Sequence, residues 1–147
     1  MSATAGTQLD GGMTPGAVAR LRRTITREEI EAFARFSGDF NPLHVDEAFA
    51  ARTPMGRPVA HGMILASLVS TLIGMHLPGP GALWVNQTFR WLTPVFAGDS
   101  IEVTLTVVHV SPATKSVRIR VEAMREEGGK VMDGEGTVLL LQTRPEA

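Results

Sequence analysis

Apolar and polar positions change rhythm along the chain, and each rhythm predicts a different element. Ala17 to Thr24 is short and β-prone enough for a first strand. Thr26-Arg27-Glu28-Glu29 then fits a capping box, in which Thr26 and Glu29 satisfy the first free amides of a helix. Ile30, Phe33, Ala34 and Phe36 follow at helical spacing, so the helix runs to Ser37 and ends at Gly38. Asp39 to Val45 reads as a loop, because Pro42 disfavours helical geometry at Asn41. Asp46 stands where it would cap a short second helix, Glu47 to Arg52. Thr53-Pro54-Met55-Gly56-Arg57-Pro58 is a second loop, since two prolines and a glycine allow little else. Met63 to Met75 is apolar on nearly all sides, which predicts a buried helix, and Pro78 and Pro80 stop it.

Beyond that helix the period shortens to two. Trp84 to Trp91 is β-prone. Ile101, Val103, Leu105 and Val107 alternate with Glu102, Thr104 and Thr106, and Val117, Ile119, Val121 and Ala123 alternate with Arg118, Arg120 and Glu122. Both are strands with one wet face. Gly128-Gly129 signals a hairpin, and Lys130 to Gln142 supplies the returning strand. The order predicts an α+β fold whose antiparallel sheet wraps around the apolar helix. Such a sheet leaves edges, which dimerisation commonly covers.

Composition narrows the function classes. The 147 residues suit one domain, and with no repeat or linker in view residues 16–147 form it. Residues 1–15, rich in Gly, Thr, Ser and Ala, read as a flexible tail. A net charge of -1, without long charged runs, gives no reason to expect nucleic acid or an anionic membrane as a partner. The absence of cysteine excludes disulfides, thiolate nucleophiles and Cys-zinc sites. The start of the chain lacks a basic, apolar leader, and Met63 to Met75 is shorter than the roughly 20 residues a membrane span needs. A cytoplasmic protein is expected.

Two constellations could carry chemistry. Asp39 and His44 share a loop with Phe40, Leu43 and Val45. A carboxylate and an imidazole held close together can position one water and move its protons. The plain alternative is that Asp39 caps a turn with Asn41 and Pro42, while His44 is merely a satisfied polar residue. His61-Gly62 precedes the apolar helix. A helix start presents free amides, and a glycine there lets a carbonyl approach closely, as an oxyanion hole requires. Alternatively, Gly62 only permits a tight entry into the helix. Ser67 and Ser70 lack the G-x-S-x-G turn of a nucleophile and read as ligands to the preceding turn or to a substrate. Asp39, His44, Asp46 and His61 could together bind zinc or iron, but no tight ligand spacing supports a metal. His76 and His109 receive no role.

Phe33-Ala34-Arg35-Phe36-Ser37-Gly38-Asp39-Phe40-Asn41-Pro42-Leu43-His44-Val45-Asp46, with its intact D-x-N-P-x-H motif, and Arg57-Pro58-Val59-Ala60-His61-Gly62-Met63 resemble the MaoC-like family. More narrowly they are similar to its (R)-specific enoyl-CoA hydratases. The resemblance continues through Leu77-Pro78-Gly79 and Phe89 to Asp99, and covers roughly residues 17–142. It implies a hot-dog fold around the Met63–Met75 helix, and a homodimer whose sheets join near a bound acyl-CoA thioester. It implies that Asp39 and His44 activate water for addition across a 2,3 double bond, and that Gly62 offers its amide to the thioester carbonyl. It also implies that Asn41 shapes the loop and that Ser70 supports the pair by hydrogen bonding. No cofactor is implied.

Other readings compete. The same chemistry could act on an acyl-carrier-protein thioester or a branched dicarboxylic one. A hot-dog thioesterase would use a carboxylate without this motif, and a non-catalytic acyl-CoA-binding subunit would be free to lose one of the pair. Phe36, Met55, Met63 and Leu65 are the candidates for lining an acyl pocket.

Overall fold

The computed structural model describes residues 13–146, so most of the expected tail, residues 1–12, lies outside it. Met13 packs against the core, and Gly16, the first residue of the expected domain, donates its N–H to the Val107 carbonyl at 2.8 Å. The elements run β1 (Val18–Thr24), α1 (Arg27–Ser37), α2 (Pro42–Val45), α3 (Glu47–Ala51), α4 (Gly62–Met75), β2 (Ala82–Gln87), β3 (Arg90–Trp91), β4 (Ser100–Ser111), β5 (Ser116–Arg125) and β6 (Lys130–Leu140).

The capping box forms as the sequence predicts. Thr26 Oγ1 accepts from Glu29 N at 3.2 Å, and Glu29 returns to Thr26 N at 2.9 Å. Arg23 also binds Glu29. Partial burial pushes the Glu29 carboxyl pKa up, but the Thr26 amide and the Arg23 guanidinium outweigh this and hold it below the usual range. The resulting stabilisation is present above the ordinary carboxylate pKa and is lost as pH falls through the depressed one. Gly38 ends α1, donating to the Ala34 carbonyl at 2.9 Å.

The strands form one antiparallel sheet in the order β1-β4-β5-β6-β2, with β3 also on β6. Its alternation is the one the sequence predicts. Ile101, Val103, Leu105 and Val107 of β4 and Val117, Ile119, Val121 and Ala123 of β5 are all buried on the inner face. That face closes over Ile64, Leu65, Leu68, Val69, Leu72 and Ile73 of α4 in the hot-dog arrangement. Each fully buried aliphatic side chain contributes about 1.5–3 kcal/mol, so this one layer holds the fold together.

Two expectations need correction, and the β-prone stretch gains detail. Pro42–Val45 is a helical turn, not loop: Asn41 stays extended at ψ 125° as the proline rule requires, and the helix starts at the proline itself. The stretch Trp84–Trp91 is two strands. Its Gln87-Thr88 bend crosses so close to β6 that a Cβ on Gly134 would lie 1.8 Å from the Thr88 carbonyl oxygen. Finally, α4 is not buried all round. Met63, Ser67, Ser70, Thr71 and Met75 recur at helical spacing and are exposed.

Candidate active site

The segment between α1 and α2 is built from successive side-chain-to-amide bonds. Ser37 Oγ accepts from Asp39 N at 3.1 Å, Asp39 Oδ1 from Asn41 N at 3.1 Å, and Asn41 Oδ1 from Leu43 N at 3.0 Å. Asn41 is thus the N-cap of α2 and shapes this segment. The turn it starts carries His44 back toward Asp39. Asp39 Oδ2 and His44 Nε2 are 3.8 Å apart, too far for a direct hydrogen bond.

The other ring nitrogen fixes the tautomer of His44. Nδ1 lies 2.8 Å from the Val59 carbonyl oxygen, which can only accept, so Nδ1 carries a proton. In the neutral ring, Nε2 therefore turns a free lone pair toward Asp39. The two groups sit in unlike surroundings: the His44 side chain is 13% exposed and that of Asp39 51%.

His61 completes this corner, where the sequence reading placed it only before the helix start and among the metal candidates. Its Nε2–H donates to the Asp39 main-chain carbonyl at 2.9 Å. Its ring stacks on His44, centroids 4.0 Å apart, with Phe33 on it at 4.8 Å. Among the described residues it is the buried polar side chain, and its Nδ1 is buried without a partner. Such a group costs about 1–3 kcal/mol, which asks for an explanation.

Directly after His61, α4 starts at Gly62 with no side-chain cap; Ile64 N turns back to the His61 carbonyl at 3.0 Å, while among the described residues the Gly62 amide has no hydrogen-bond acceptor. The glycine is required by a neighbour within the chain. A Cβ here would lie 2.6 Å from Trp91 Nε1, and that indole donates to the Gly62 carbonyl at 3.0 Å. Gly62 and His61 open on a largely apolar cavity of about 480 Å3, walled by Met63, Leu65, Trp91 and Leu92 among others. Of the acyl-pocket candidates, Met63 and Leu65 line it. Phe36 and Met55 do not and are exposed instead.

Ser70 lies on the exposed face of α4, eight residues past Gly62, a rise of about 12 Å. Among the described residues, no hydrogen bond joins it to Asp39 or His44. Ser67 bonds back to the Ile64 carbonyl at 2.6 Å, the helix-internal role expected of it. Asp39, His44 and His61 bring ligand atoms within 4.8 Å of one another. Asp46, the fourth member of the metal reading, is occupied in capping α3 through Phe49 N at 2.9 Å. One ring nitrogen of each histidine is also engaged, His44 Nδ1 on the Val59 carbonyl and His61 Nε2 on that of Asp39.

Residues 12–127 match the MaoC like domain family. The (R)-specific enoyl-CoA hydratase of Aeromonas caviae is 39% identical over 125 residues, 85% of this chain and 93% of that protein. The 3-hydroxybutyryl-CoA dehydratase of Methylorubrum extorquens is 40% identical over 119 residues, 80% of this chain and 74% of that one. The solved structure of the A. caviae (R)-hydratase, described as involved in PHA biosynthesis, superposes with a TM-score of 0.84 at 38% identity, covering 88% of this chain and 98% of that one. With the family matched over most of its length, the chain belongs to the MaoC-like family of hydro-lyases.

Proposed function

We propose that this protein adds water reversibly to a trans-2-enoyl-CoA, giving the (R)-3-hydroxyacyl-CoA. The observation that carries this reading is the gap between Asp39 Oδ2 and His44 Nε2. At 3.8 Å, it is a span that one water can bridge with two ordinary hydrogen bonds. The thioester carbonyl binds the Gly62 amide at the uncapped start of α4, where the helix dipole adds to the attraction. That bond draws electron density from the conjugated system and makes C3 electrophilic. The water's oxygen bonds to C3 while its departing proton enters the Asp39/His44 pair. A proton from the pair is delivered to C2 on the same face, so the pair's charge is unchanged over one turnover. The two residues act as one coupled acid–base unit.

The acyl chain lies in the cavity walled by Met63, Leu65, Trp91 and Leu92. Initial rates over enoyl-CoA chain lengths and the matching acyl-carrier-protein thioesters test the substrate class. Hydration of the CoA series with no release of free thiol is expected. Preferred turnover of the carrier-protein series would move the protein to the dehydratase reading, and thiol release would make it a thioesterase.

The working unit is a homodimer. The exposed face of α4 and the edge strand β2, with Leu83 and Val85 uncovered, leave apolar surface beside the site that a second copy covers. Joining at β2 continues one sheet into the other. Light scattering should give twice the chain mass, and a charge placed at Val85 should shift that mass toward the monomer. A wild-type monomer in solution would contradict this.

A further inference from the structure

The geometry points to His61 as a positioning residue for the Asp39/His44 pair, an inference that rests on the function proposed above. One buried ring touches both members by different means. Its Nε2–H holds the carbonyl of Asp39 at 2.9 Å, while Ser37 Oγ holds the amide of the same residue at 3.1 Å. Asp39 lies between helices with an exposed side chain, so these two bonds fix the main chain from which its carboxylate projects. The face of the same ring packs on His44 at 4.0 Å, and Phe33 closes the other face. His44 is therefore held in plane by Nδ1–H on Val59 and kept from tilting by His61. The separation of Asp39 Oδ2 from His44 Nε2 depends on both restraints.

His61 is also the residue from which α4 starts, so the ring that sets the pair also precedes the Gly62 amide. A residue that only filled this space would not need a donor. The buried, unpartnered Nδ1 has no packing role, and it is the unavoidable other end of a ring needed for its Nε2–H.

The test compares two variants of the whole chain for hydration of crotonyl-CoA, with thermal unfolding measured alongside. His61→Phe keeps the aromatic stack and the burial but removes the donor. Its unfolding temperature should stay close to that of wild type, because the lost Nε2–H bond to the Asp39 carbonyl is offset by removal of an unsatisfied nitrogen. Its kcat should fall roughly 10²-fold, the scale set by an ångström of misplacement, while KM stays within about threefold. His61→Gln restores a donor without the ring and should recover about tenfold of that loss. The pH dependence of kcat should change shape in His61→Phe, because the spacing of a coupled acid–base pair sets that shape. Wild-type kcat in His61→Phe, or a rate loss in either variant that follows a loss of folded protein, would overturn the inference. Failure here with Asp39→Asn and His44→Ala still inactive removes only the role of His61. Activity retained in those two removes the proposed function itself.

Discussion

Asp39→Asn should abolish most hydration of crotonyl-CoA, with a fall in kcat on the order of 10²–10⁴, and His44→Ala should do the same. Asparagine is the cleaner of the two. Its Oδ1 can still accept from Asn41 N, as Asp39 does at 3.1 Å, so the turn that starts α2 survives. Only the charge and basicity facing His44 are lost. Because the Asp39 side chain is half exposed, little folding stability depends on it, and thermal unfolding should hardly move. His44→Ala is the harsher change, since it frees the Val59 carbonyl and uncovers one face of His61. Some stability loss is expected, yet the rate loss should exceed any fraction unfolded. The two changes together should cost little more than the worse one alone, because groups that act as one unit are not additive. Circular dichroism with initial rates checks all three variants. Near wild-type rates in both single variants would remove the pair from the mechanism.

Gly62→Ala should lower kcat/KM roughly 10²-fold, the scale of a small misplacement at a carbonyl-binding amide. The cause is steric and local. The new methyl would sit 2.6 Å from Trp91 Nε1 and 2.9 Å from Cε2, distances at which something must move. Either the half-exposed indole swings out and gives up its bond to the Gly62 carbonyl, or the start of α4 shifts. Both change where the amide points and reshape the cavity that the two residues share. The partner responsible can be identified by a double-mutant cycle. In a Trp91→Ala background the added methyl should cost less than about tenfold, because its clash is gone. An equal cost in both backgrounds would show that the bound thioester, rather than Trp91, is what requires glycine.

These two positions show what could be read along the chain and what could not. The alternation at Ile101–Val107 and Val117–Ala123 reports burial directly, because a strand with one wet face repeats every second residue. The capping box at Thr26 is equally local, and both appear as expected. Pro42 misled because one residue imposes two rules: it keeps Asn41 out of the helix, yet it is well suited to begin one. The apolar stretch Met63–Met75 misled differently. Its exposed stripe is hard to see in the sequence because methionines stand at both ends and only Ser67, Ser70 and Thr71 interrupt the apolar run between them.

The D-x-N-P-x-H motif made Asp39, Asn41 and His44 visible because the turn binding them is six residues long. His61 was hidden because its partners are distant in sequence. Its contact with Asp39 spans 22 residues, and no local pattern records that. The same is true of Trp91, 29 residues from the glycine whose space it fills.

The most direct test of the whole account is the chirality of the hydration product. Crotonyl-CoA is incubated with the wild-type protein, loss of the enoyl absorbance is followed, and the 3-hydroxybutyryl-CoA formed is offered separately to (R)- and (S)-specific dehydrogenases. A water held on one side by Asp39 and His44, against a carbonyl fixed on the Gly62 amide, predicts rapid loss of absorbance and a single enantiomer, and the similarity to (R)-specific hydratases makes it the one oxidised by the (R)-specific enzyme alone. No loss of absorbance, or a product taken by the (S)-specific enzyme, would contradict the proposed function.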